Sequence, residues 1–146
     1  MECSQGRDRA FPAPRTIRDM IFVDTNVFMY AVGRAHPLKQ KARAFFEDAV
    51  QGKLPRLYTS AEVVQELLHA YLPVERLATF DRALVLIQGT IAEVWPVDPE
   101  DVALARDLVT SHPSLGARDL LHLACCQRKE VSRIKTFDRN LAHAFS

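Results

Sequence analysis

The stretch Met20-Ile21-Phe22-Val23-Asp24-Thr25-Asn26 decides the fold. Four consecutive apolar residues without polar alternation read as a short strand buried on both faces, the pattern of a parallel sheet covered by helices. Asp24 ends the run, ahead of an apolar segment that reaches Val32 and breaks at Gly33. An aspartate there can cap the helix it precedes. It also stands at the carboxyl end of a strand, the edge where open α/β sheets bind their ligands.

Working outward from this strand, the punctuation of the chain gives the rest. A helix is expected after Pro37, with Ala42, Phe45, Phe46, Ala49 and Val50 at helical spacing and Gly52 as its stop. Leu57-Tyr58-Thr59 reads as a second strand. Ser60 then caps a helix carrying Val63, Val64, Leu67, Leu68 and Tyr71, which Pro73 ends. Leu77 to Ile87 is helical and closed by Gly89; Ile91 to Val97 alternates as a strand; Asp98-Pro99 opens another helix. Gly116 to Gln127 reads as a helix, Arg133 to Phe137 as the last strand, and Asp138 begins a short final helix. Strands alternating with helices predict an α/β fold, three layers α/β/α around a mainly parallel sheet of four to five strands. Residues 20–146 form that domain. Residues 1–19, with Gly6, Pro12, Pro14 and four arginines, read as a flexible N-terminal extension, with a start at Met20 and a real, partly ordered arm as equal alternatives.

Composition bounds the function. The 146 residues hold 19 Lys+Arg against 18 Asp+Glu, a formal charge of +1, so no bulk field draws the molecule to nucleic acid or membrane. Any such binding must come from a local patch. No apolar run reaches the roughly 18–20 residues of a membrane span, and the N-terminus lacks the apolar core of a secretory signal. Cys3, Cys125 and Cys126 have no framework spacing, which points to a reduced, cytoplasmic setting. The histidines His36, His69, His112, His122 and His143 lack the paired spacing of a zinc site.

Four acids collect at the predicted ligand edge. Asp24 follows the first strand, Asp138 follows the last, Asp119 lies in the first turn of the helix before the last strand, and Glu66 sits on the helix after strand two. At 100° per residue, Glu66 lies about 130° from the centre of its helix's apolar stripe, bordering the buried side, whereas Glu62 faces water. Singly, each acid is explained by a cap, a helix dipole or a solvated charge. Together they are not, because like charges about 5–6 Å apart repel by roughly 3 kcal/mol per pair at an effective dielectric near 20. A divalent cation would relieve that repulsion, and carboxylate oxygens suit Mg²⁺ or Mn²⁺. Committing four acids to a site leaves 19 basic against 14 acidic residues elsewhere, a formal +5.

At these residues the sequence resembles the PIN domain family. Met20 to Val27 is similar to its first strand and acidic signature, and Thr59-Ser60-Ala61-Glu62-Val63-Val64-Gln65-Glu66 to its second. Ala117-Arg118-Asp119-Leu120-Leu121-His122-Leu123-Ala124 resembles the third, and Thr136-Phe137-Asp138-Arg139-Asn140-Leu141 the fourth. The resemblance implies a ribonuclease that hydrolyses RNA phosphodiesters, with Asp24, Glu66, Asp119 and Asp138 as catalytic residues holding Mg²⁺ or Mn²⁺. It further implies the toxin of a VapBC-type pair, a small antitoxin partner and homodimerisation. Asn140 stands where a further Asp is often found, and the chain stops at Ser146, where members often add a fifth edge strand. Arg34, Arg118 and Arg139 are the candidate phosphate contacts around the acids. His122 is expected on the polar side beyond Asp119, near the pocket but not a ligand. Phe28, Phe45 and Phe46 either line an antitoxin groove or fill the core. The competing reading is a PIN-fold module that binds RNA or protein without cutting.

Overall fold

The computed structural model describes residues 20–146; the extension expected at residues 1–19 lies outside the described residues. Four strands, β1 (Met20–Val23), β2 (Arg56–Ser60), β3 (Glu93–Trp95) and β4 (Ile134–Lys135), form one sheet in the order β3-β2-β1-β4. Every pairing is parallel, with Ile21 beside Leu57, Thr59 beside Val94 and Phe22 beside Ile134. Among the described residues seven helices accompany them: α1 (Thr25–Val32), α2 (Lys39–Val50), α3 (Ala61–Tyr71), α4 (Leu77–Thr90), α5 (Pro99–Asp107), α6 (Ala117–Arg128) and, after the last strand, α7 (Arg139–His143).

The topology makes the site edge. The chain steps outward from β1 to β2 to β3, then returns across the sheet so that β4 lies on the far side of β1. Right-handed crossovers in opposite directions put α1–α4 on one face and α5–α6 on the other. Two buried clusters match these layers. The larger gathers Phe22, Val27, Phe28, Phe46, Leu67 and Trp95; the smaller gathers Ala105, Leu120, Leu123 and Leu141. The strand order reverses at β1/β4, and a crevice between two carboxyl ends opens there.

The central strand β1 is apolar throughout because both its faces are covered, and Phe22 and Val23 are fully buried. The edge strands are shorter than their sequence patterns. β3 is confined to Glu93–Trp95 within the expected Ile91–Val97, and β4 to Ile134–Lys135 within Arg133–Phe137. Each has a ladder on one side only. Helix α4 runs through Gly89 to Thr90, whose hydroxyl bonds back to the Leu86 carbonyl at 2.7 Å, so Gly89 does not stop it. Gly33 does have a steric role, since a Cβ there would lie 2.6 Å from the Met29 carbonyl oxygen. Phe28 and Phe46 stack at 5.2 Å within the core, and Phe45 is half-buried with the Lys135 ammonium over its ring.

A candidate active site at the β1/β4 crevice

Asp24 begins the site. It leaves β1 in an extended conformation and caps α1, one carboxylate oxygen accepting from the Thr25 amide at 2.7 Å. The other oxygen accepts from the Thr136 hydroxyl at 2.7 Å and the Asn26 amide at 3.3 Å. Thr136 lies just beyond β4, and its hydroxyl oxygen also accepts from Asn26 and from the Asp138 backbone amide. Asn26 in turn accepts from the Phe137 amide at 3.2 Å. Asp24, Asn26 and Thr136 therefore stitch the ends of β1 and β4 together.

Glu66 enters from α3. Ser60 caps that helix through the Val63 amide, which sets its phase. Glu66 lies on the buried face with Val63, Leu67 and Tyr71, while Leu68 is 36% exposed. The buried arc is thus rotated toward Glu66 from the stripe expected from sequence. One Glu66 oxygen accepts from the Thr25 hydroxyl and lies 3.0 Å from His122 Nε2; the other faces the Arg118 guanidinium at 3.6 Å.

His122 is the residue the sequence reading misplaced. It is not on a polar side: it is 1% exposed, with its ring 5.5 Å from Phe22 and Nε2 3.7 Å from Asp24 Oδ1. Asp24, Glu66 and His122 each offer a donor atom within 4.8 Å of the others, a group able to hold a metal ion. The available signal was spacing, since Asp119 and His122 are three residues apart on one helix and share a face.

Asp119, half-buried in the first turn of α6, lies outside this three-residue donor group. Burial raises its pKa, and the charges of Asp24, Asp138 and Glu66 raise it further against an opposing effect of His122. Asp138 caps α7 through the Asn140 and Leu141 amides at 2.9 and 3.4 Å. Asn140 is exposed. Burial raises the Asp24 pKa, with His122 and the Thr136 and Thr25 hydrogen bonds opposing it. Burial would also raise Glu66, but hydrogen bonds from His122 and Thr25 outweigh it and hold that carboxyl below its ordinary value. Burial depresses His122, yet the bond to Glu66 and the charges of Asp24, Glu66 and Asp119 lift it overall. The structure thus brings donor atoms of Asp24, Glu66 and His122 together, and Asp119 and Asp138 are not part of that group.

Of the basic candidates, Arg118 is exposed but engaged with Glu66; Arg34 and Arg139 lie at the surface after α1 and at the start of α7. Tyr30 packs beside His36 and Phe137.

A parallel sheet with Asp24 and Glu66 drawn together beside its reversal point defines a small α/β domain with oxygen donors at its ligand edge. The chain belongs to the PIN domain family, which it matches over residues 21–145. It is 63% identical over 126 residues to Ribonuclease VapC23 of Mycobacterium tuberculosis, covering 86% of this chain and 98% of that protein. Among solved structures it resembles Mycobacterium tuberculosis VapC20, described as a sarcin-ricin loop cleaving toxin, with a TM-score of 0.71 and 19% identity over 85% of this chain and 94% of that one. It also resembles VapBC2 of Rickettsia felis bound to a DNA fragment from their promoter, with a TM-score of 0.60 and 15% identity over 82% and 87% of the two chains. Among the described residues, no helix is long and apolar enough to cross a membrane.

Proposed function

We propose that the protein is the endoribonuclease toxin of a VapBC-type pair and hydrolyses RNA phosphodiesters with Mg²⁺ or Mn²⁺ held by Asp24, Glu66, Asp119 and Asp138. The observation that carries this is the convergence of donor atoms of Asp24, Glu66 and His122 within 4.8 Å of one another at the end of β1. Oxygen donors of this kind fit a hard divalent cation. The chemistry such a cation supplies when bound is activation of water and neutralisation of charge on the reacting phosphate.

The chain's own residues do the positioning. Thr136 and Asn26 fix one oxygen of Asp24 and the Thr25 amide fixes the other. Thr25 and His122 fix Glu66. Arg34 and Arg139, with Arg118 once it leaves Glu66, contact RNA phosphates at the rim. An antitoxin is part of this reading. A groove of about 580 Å³ between α1, α2 and α4, with Val32, Phe46, Val50 and Leu86 along it and Lys39 and Arg43 beside them, suits an apolar segment flanked by acidic residues. The exposed Leu72, Val74 and Leu77 support a homodimer, checked by sedimentation of the purified chain.

The test is cleavage of structured and single-stranded RNA by purified protein, with and without chelator, against Asp24→Asn and Asp119→Asn. Loss of at least 100-fold in both variants supports the reading. Activity that survives both substitutions, or that ignores chelation, removes it.

A further inference from the structure

We propose that His122 is a positioning residue that fixes Glu66 through Nε2–H and does not itself bind the cation, a role that rests on the reading of this group as a cation site. By position alone His122 could be a ligand, since Nε2 lies within 4.8 Å of donor oxygens on Asp24 and Glu66. Its proton placement decides otherwise. An imidazole nitrogen ligates a metal only through a free lone pair, so ligation by Nε2 requires the proton on Nδ1. Histidines that ligate metals almost always donate that second N–H to a carboxylate, a carbonyl or water.

Nδ1 is buried and has no hydrogen-bond partner among the described residues. A proton there in neutral imidazole would be an unsatisfied buried donor. Nε2 would then oppose Glu66 Oε1 at 3.0 Å, lone pair to lone pair. With the proton on Nε2 the lone-pair opposition disappears: Nε2–H donates to Glu66, and Nδ1 is left as an unpaired acceptor instead of an unpaired donor. The doubly protonated ring also carries a proton on Nε2. Neither of these forms can ligate through that nitrogen.

The consequence is directional. Glu66 Oε1 receives the Thr25 hydroxyl and the His122 Nε2–H, so both of its in-plane acceptor positions are used. Oε2, which faces Arg118 at 3.6 Å, is the oxygen left open. His122 thereby selects which oxygen of Glu66 is offered.

The test needs no activity. The full chain is labelled with ¹⁵N-histidine, and the His122 signals are assigned by their loss in His122→Gln. Nitrogen shifts then read the proton on Nε2 before and after saturation with Mg²⁺. The role predicts a protonated Nε2 in both states. Mg²⁺ affinity by calorimetry supplies a second readout: His122→Phe, which lacks a donor, weakens binding about tenfold or more. His122→Gln, which returns an amide N–H near the same place, recovers most of it. Loss of the Nε2 proton when Mg²⁺ binds overturns the role while sparing the site, and so does a Gln variant as weak as Phe. A wild-type chain that binds no Mg²⁺ overturns the site reading and the role with it.

Discussion

Replacing Asp119 by Asn should stabilise the metal-free protein while disabling it. Burial, then the charges of Asp24, Asp138 and Glu66, raise the Asp119 carboxyl above its ordinary value of 3.8. A carboxyl whose pKa is raised on folding costs stability wherever it is ionised. That cost is full above the folded pKa and fades as pH falls through that value toward 3.8. Two unit charges about 5–6 Å apart interact by roughly 3 kcal/mol at an effective dielectric near 20. Asp119 is only half-buried and His122 offsets part of the repulsion, so screening reduces the gain on neutralisation to about 1–2 kcal/mol. For a domain of this size that is roughly 4–8 °C in Tm. The assay is thermal melting in chelator at neutral pH, repeated at stepwise lower pH. The variant should melt higher at pH 7, with the difference closing as the medium becomes acidic. Saturating Mg²⁺ at about 100 times its Kd should then stabilise wild type by about 2.7 kcal/mol and the variant by much less. A variant less stable than wild type in chelator at pH 7, or a gain unchanged at acid pH, would refute the reasoning.

Two other perturbations follow from the same geometry. Thr136→Val removes a donor to Asp24 and an acceptor for Asn26 and the Asp138 amide, so it should cost about 1–3 kcal/mol in denaturant melts and 10–100-fold in RNA cleavage; unchanged cleavage would show that the β1/β4 stitching does not orient Asp24. Burial, with the Asp101 charge adding to it, pushes the Cys125 thiol up to about 12, and burial also raises Cys126 well above its ordinary value. Peptide mapping after iodoacetamide treatment at pH 8 should therefore find both unmodified in native protein and modified after denaturation.

Much of the site was legible because it lies where chain punctuation and chemistry coincide. Asp24 and Asp138 follow strands and cap helices, two local signals that also mark the carboxyl edge of a parallel sheet. Helical geometry singled out Glu66 from Glu62. Pattern alone gave less than was there, because Leu68 is exposed and the buried arc turns toward Glu66 itself. His122 was misplaced for a related reason. Helix α6 buries Leu120, Leu123, Ala124, Cys125 and Cys126 as well, so it has a wide buried arc and no sharp polar side from which to judge a histidine. The lengths of β3 and β4 were not legible, since side-chain alternation does not say which strand lacks a neighbour on one side.

The central claim is that the four acids at the β1/β4 crevice hold the cation. Crystals soaked in Mn²⁺ and measured for anomalous scattering test it most directly. The account predicts a peak among the carboxylates of Asp24, Glu66, Asp119 and Asp138, at the roughly 2 Å ligand distance of a hard cation and beyond bonding distance of His122 Nε2. A peak elsewhere on the surface, or none at a concentration that supports RNA cleavage, would contradict it.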